Sequence, residues 1–399
     1  MKAKFDVFFS YGFRPFFLGC AIYGAFVMAA FMIWIGVHHA GGLFVRLPMS
    51  ISPFLWHAHE MLFGFAMAAV AGFLLTAVPS WTGTHAVHGK PLFILFLFWL
   101  CGRIGVGFSA SLPVWLAATM DLIFIPALGI LVIGALSKGW SKRNLIFVPL
   151  LAGFFISNLL FHLELLDVVD NGIDMGLRLS VGLLALLISI IGGRVTPAFT
   201  TNALRRMGEQ KLPVNHVPLN VLGILLVASF AITDTVAPEA QITGWLAAAA
   251  AVVNAARLAG WRGLKTFSDP LVAVLHIGFA WLSIGLGLKA WAILGDGLSP
   301  ETALHALTAG AAGTMILAVM SRASLGHTGR PLVASRVTVA VYTLITMTTV
   351  IRVVIPPVFP EFYNEGMIVA GIGWIAAFTL FAIHYWTVLT GPRLGGRDA

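Results

Sequence analysis

Ser52-Pro53-Phe54-Leu55-Trp56-His57-Ala58-His59-Glu60 opens an apolar run that extends over 54–79. Serine at an N-cap, followed by proline at the first helical position, marks a helix start. The run is long enough to cross a bilayer, which takes roughly 20 apolar residues. Two imidazoles and a carboxylate therefore stand in the first turns of a membrane helix, where ionisable groups are costly and usually functional. Successive helical residues turn by ~100°, so His57 and His59 face nearly opposite sides. One helix can thus offer a ligand to each of two neighbours.

Eleven further runs of this kind surround it, giving spans at 16–37, 54–79, 91–108, 112–136, 144–164, 176–193, 216–234, 241–260, 270–294, 301–321, 332–355 and 367–389. The chain has 399 residues, 59% hydrophobic and 10% charged, where a soluble domain carries about 25% charged residues. The reading is an all-α, polytopic integral membrane protein of twelve transmembrane helices, with 1–399 as one membrane domain. Residues 182–204 align without a gap on 310–332, and 77–80 and 89–92 resemble 318–321 and 329–332. These matches fall on spans 2, 6 and 10, a spacing that fits three four-helix arcs.

The net charge of +8 does not point to nucleic acid, because the cations sit in short loops between apolar runs. With both termini cytoplasmic, nineteen of the 24 Lys and Arg fall on the inner side, among them Lys142, Arg143, Lys211 and Arg397. The exceptions are Arg46, Arg103, Arg178, Lys289 and Arg352. Acidic residues gather instead in the outer segments 164–174, 234–239, 296–301 and 361–365. This bias orients the chain with both termini on the inner side of its membrane. The N-terminus lacks a signal-peptide pattern and is expected to be retained. Cys20 and Cys101 both lie in apolar runs and are expected to be plain buried thiols.

The orientation brings His57, His59, His162 and His305 to one level near the outer face. Neutral imidazole suits copper, iron and zinc, and haem iron also takes axial histidines. The plainer alternative is that each histidine hydrogen-bonds at a helix end. Glu60 is a candidate proton carrier or an orienting partner for His57. Asn158 precedes His162 by one turn and shares its face. His276 lies ~10 Å in from the cytoplasmic side and is a further ligand or relay candidate, whereas His384, beside Tyr385 and Trp386, reads as interfacial belt. Arg194 and Arg322 close the inner ends of spans 6 and 10, before Thr, Gly and Pro. They are candidates for holding an anion such as a haem propionate or phosphate, although positive-inside stop signals explain them equally. The two-faced histidine pair suggests that His305 and one of His57 and His59 clamp a haem, while the other serves a second metal.

Four segments together resemble the NnrS family of bacterial membrane proteins: Gly12-Phe13-Arg14-Pro15-Phe16-Phe17, Trp56-His57-Ala58-His59-Glu60-Met61, Gly192-Gly193-Arg194-Val195-Thr196-Pro197 and Gly326-His327-Thr328-Gly329-Arg330-Pro331. The resemblance implies haem, expected to be b-type, and copper. It also implies a role in nitric oxide metabolism or nitrosative-stress protection, as in denitrifiers. Redox turnover of nitric oxide would need an electron donor in the membrane or periplasm. Two rival classes remain. One is a secondary transporter of a metal or metal complex, for which Asp121 in span 4 is the main midplane candidate. The other is a non-catalytic haem sensor or assembly partner.

Overall fold

The computed structural model describes residues 2–44, 46–139 and 144–395. Lys142, Arg143 and Arg397, which entered the orientation reading, lie outside the described residues. Twelve helices are long and apolar enough to span a membrane. They are α1 (Phe13–His39), α2 (Pro53–Thr82), α3 (Lys90–Gly107), α4 (Val114–Leu136), α5 (Phe147–Leu165), α6 (Gly172–Arg206), α7 (Val217–Val236), α8 (Gln241–Gly260), α9 (Pro270–Leu294), α10 (Pro300–His327), α11 (Arg336–Val358) and α12 (Pro360–Thr390). No strand occurs among the described residues. The protein is an all-α polytopic membrane protein, and lipid is the environment its apolar exterior requires.

The helices follow the apolar runs, with two informative differences. Helix α6 continues to Arg206, through 192–202, which reads in sequence as an inner loop. Pro197 does not stop it. Thr200 and Thr201 return hydroxyl bonds to the carbonyls of Thr196 and Pro197 at 2.7 and 2.8 Å and hold the turns around the proline. Helix α10 likewise carries 321–327 as its last turns. The opposite happens in α4, which breaks at Ile123. Pro126 has no N–H to offer the carbonyl of Leu122, four residues back, and the helix restarts at Phe124.

The chain forms two compact units. The first comprises residues 1–180, 323–331 and 378–399; the second comprises 181–322 and 332–377. In the first unit, α1 packs on α2, α3 on α4, and α4 on α5. Close approach of α1 and α2 depends on Gly72, where a Cβ would stand 2.7 Å from the Phe17 ring. In the second unit, α9 packs along α8 and against α10.

Arg14, from the Gly-Phe-Arg-Pro-Phe-Phe segment, gathers the first unit's distant pieces. It is 1% exposed, and its Nη1 donates to the carbonyls of Leu389 and Gly391 at 3.0 and 2.6 Å. The last carbonyls of a helix have no intrahelical partner, so Arg14 caps the end of α12. Arg14→Ala is expected to cost about 1.5–3 kcal/mol, the range for hydrogen bonds to a charged group. Thermal unfolding in detergent measures this, and an unchanged midpoint would remove the cap from the account.

Candidate functional site

Helices α2 and α10 share a build that sequence alone did not reveal. Each starts at a Ser-Pro pair whose serine side chain caps the helix, Ser52 accepting from Leu55 N and Ser299 from Glu301 N. Each runs in α geometry to a histidine, His59 or His305, and then widens into π geometry over Glu60–Ala66 or Ala306–Gly313. Such widened turns are rare and concentrate at functional sites. In α2 the widened turn is supported from outside: Trp99 Nε1 of α3 donates to the Gly64 carbonyl at 2.9 Å. Gly64 also makes room, since a Cβ there would lie 2.8 Å from Arg103 Nη1 and 3.0 Å from Glu60 Oε2.

The widened turn of α2 faces a buried polar cluster in the first unit. Arg103 of α3 bridges two carboxylates. Its Nη1 donates to Glu60 Oε2 at 2.6 Å, and its Nη2 donates to Asp121 Oδ1 of α4. Tyr23 of α1 donates its hydroxyl to the same Glu60 Oε2. The other oxygen of Asp121, Oδ2, receives Asn158 Nδ2 at 2.8 Å and lies 2.9 Å from His162 Nε2 and 3.2 Å from His59 Nε2. His59 Nδ1 meets Glu60 Oε1 at 2.9 Å, and Asn158 Oδ1 stands 3.0 Å from its Nε2. His59 and Glu60 are fully buried, and Arg103, Asp121, Asn158 and His162 are at most 5% exposed. Charges at this depth are tolerated because every one is paired and hydrogen-bonded.

This donor set fits a metal ion. His59, Asp121 and His162 each bring one ligand atom, all within 4.8 Å of one another. Ligands held ~2 Å from one metal stand about 3–4 Å apart. Both ring nitrogens of His59 face oxygen acceptors, an arrangement that either a second ring proton or a cation bound at Nε2 satisfies. Two imidazoles and a carboxylate suit copper, iron or zinc. Arg103, Glu60 and Asn158 then orient the ligands from behind, as outer partners do in metal sites.

The other sequence-predicted histidines are not members of this group. His57 faces away from the cluster and stacks on Phe31 of α1, ring centroids 4.2 Å apart at 14°. His305 belongs to the second unit. Its Nδ1 donates to the Glu301 carbonyl at 2.7 Å, which fixes the tautomer and leaves Nε2 as the nitrogen that carries the lone pair. His276, also in the second unit, donates from Nε2 to Thr200 Oγ1 at 2.8 Å, because that hydroxyl already donates to Thr196 O. Its Nδ1 is buried without a hydrogen-bond partner among the described residues, beside Gly263, where an added Cβ would sit 2.4 Å away. Arg194 is half-buried in α6, and Arg322 covers the Phe199 ring.

Tyr23 and Arg103 are the cluster members that sequence reasoning did not assign to a site. Arg103 did leave a signal, as one of five cations on the wrong side of the charge bias. Four of those five have local partners: Arg103 as above, Lys289 with Asp234 at 2.8 Å, Arg178 with Asp174 at 2.7 Å, and Arg352 with Tyr363. In comparison with known proteins, the family model described as NnrS protein matches residues 7–393. No curated protein matches the chain.

Proposed function

The chain belongs to the NnrS family, and from that premise we propose a haem- and copper-binding protein of the bacterial inner membrane that handles nitric oxide and protects against nitrosative stress. The observation that carries the reading is the convergence of His59, Asp121 and His162 in one buried group. In this reading those three residues hold copper in the first unit, and His305 Nε2 holds haem in the second. Bound haem and copper would supply centres where nitric oxide binds and exchanges electrons with a membrane or periplasmic donor. The chain's own residues do the rest. Arg103 keeps Glu60 and Asp121 in place, Asn158 orients His59, and Glu60 carries a proton between Tyr23 and His59.

The test is an absorption spectrum with metal analysis of the purified full-length protein. A Soret band with bound copper is expected. His305→Ala is expected to lose the Soret band and keep the copper. A colourless, metal-free preparation would sink the reading and favour a secondary transporter, which would use the buried Asp121 beside the break in α4. The proposed orientation puts both termini and Lys211 in the cytoplasm. Cysteine labelling from the outer side is expected to miss position 211, and efficient labelling there would reverse the orientation.

A further inference from the structure

Arg322 lies near the end of α10 and is 7% exposed, yet its Nη1 has no hydrogen-bond partner among the described residues. Three other buried cations among the described residues are provided for. Arg103 has two carboxylates, and Lys289 has Asp234. Arg257 donates to Asn220 Oδ1, Asn254 Oδ1, and the hydroxyl and carbonyl of Ser189 at 2.7–2.9 Å. Arg322 has instead an aromatic platform, its Cζ 3.9 Å from the centroid of Phe199 on α6. A ring on one face steadies a guanidinium and leaves its N–H edge free to bind.

Two neighbouring features make this edge a receptor for negative charge. The acid in electrostatic reach of Arg322 is Asp269, and Asp269 Oδ2 already accepts from Arg206 Nη2 at 2.9 Å. Arg206 and Arg322 against one carboxylate leave one positive charge in excess. On α6, Thr196 stands one turn before Phe199 on the same face. It is fully buried, and its hydroxyl has no partner, although Thr200 and Thr201 on the same helix both bond to the carbonyl four residues back. An unmet guanidinium edge and an unmet hydroxyl, both excluded from water, are costly unless a ligand takes them.

We propose that this end of the second unit binds a small oxyanion, with Arg322 Nη1 and the Thr196 hydroxyl as donors and Arg206 supplying further field. The shared chemistry is a phosphate, nitrate or carboxylate group, either free in solution or on the head of an anionic phospholipid. A propionate of a haem held by His305 is not the ligand. Seventeen helical residues separate His305 from Arg322 along α10, a rise of about 25 Å. The site therefore stands independently of the metal reading.

The experiment uses the full-length protein, delipidated in detergent. Inorganic phosphate and nitrate are titrated calorimetrically at constant ionic strength, and phospholipid retained before delipidation is measured by mass spectrometry. Saturable binding of either probe is expected, weakened roughly 10–100-fold in Arg322→Gln and about 2–10-fold in Thr196→Val. Arg178→Gln, which removes an exposed pair on α6, is expected to bind like the parent. Anionic phospholipid lost from both variants, without binding of the free probes, would assign the site to a lipid head group. If Arg322→Gln fails to fold, Thr196→Val decides alone. Absence of both ligands from the parent, or binding unchanged by the substitutions, overturns the proposal.

Discussion

Asp121→Ala is expected to empty the proposed metal centre of the first unit and to cost about 3–5 kcal/mol of stability. The size follows from how many groups one carboxylate serves. Oδ1 receives Arg103, while Oδ2 receives Asn158 at 2.8 Å and lies 2.9 and 3.2 Å from the Nε2 atoms of His162 and His59. Truncation would leave a buried guanidinium with Glu60 alone and take the oxygen from between the two imidazoles. Asp121→Asn separates charge from shape. It keeps a side chain of similar volume and one carbonyl acceptor, so the fold is expected to suffer less. Metal affinity is still expected to fall by about 10–100-fold, the scale seen when groups supporting a metal are changed. Metal per protein, read by mass spectrometry beside the thermal midpoint, decides. Full metal content in both variants would move the centre away from α4.

The spans were legible because membrane helices are read by length and hydropathy, and few alternatives satisfy the backbone in lipid. The start of α2 was legible for the same local reason: Ser52 and Pro53 carry their own capping chemistry. The widened turns at Glu60–Ala66 and Ala306–Gly313 were not. No residue type announces π geometry, and the partners that support it, such as Trp99 for Gly64, come from another helix. The cluster was half legible. His59, Glu60 and His162 stood out in the sequence, as did Asn158 on the face of His162. The meeting of Asn158 with His59 did not, because it joins residues 99 positions apart. Asp121 stood out as a midplane acid, but its link to Arg103 depends on Gly102, where a Cβ would lie 2.7 Å from Asp121 Oδ1. Gly102 is thus an enabling residue with no chemistry of its own to notice.

The charge bias and the cluster are connected by one principle. A cation on the acidic side of a membrane protein gains nothing from the orientation rule, so it persists where a local partner holds it. Lys289 with Asp234 and Arg103 with Glu60 and Asp121 are two outcomes of that constraint. The first joins one ammonium and one carboxylate between two helices. The second gathers two histidines, an amide and a phenol around the ions, which is more than pairing alone requires. That excess of polar groups separates a candidate site from a structural ion pair.

His59→Ala and His57→Ala are expected to differ sharply although the two residues are only two positions apart. Residues two apart on an α-helix are turned by ~200°, and Pro53–His59 keeps α geometry up to the start of the widened turn. His59 therefore points at Asp121 and Asn158, whereas His57 lies on Phe31. Losing His59 removes a proposed ligand and opens a space beside two carboxylates, so metal binding is expected to weaken by more than the ~10–100-fold typical of supporting groups. Losing His57 removes a ring stack worth about 0.5–1.5 kcal/mol, a modest shift in thermal midpoint with copper retained. Metal analysis of both variants beside the parent is sufficient, with Glu60→Gln as a variant that keeps both imidazoles. Equal loss of metal in the two histidine variants would mean that the first turns of α2 unwind around the ion and bring both rings to it. Full retention in both would make His59 a hydrogen-bonding member of a polar core, with the metal held elsewhere. Unequal loss in the stated direction ties the ligand set to the turn of the helix, which is set by Ser52 and Pro53 at one end and by the widening at Glu60 at the other.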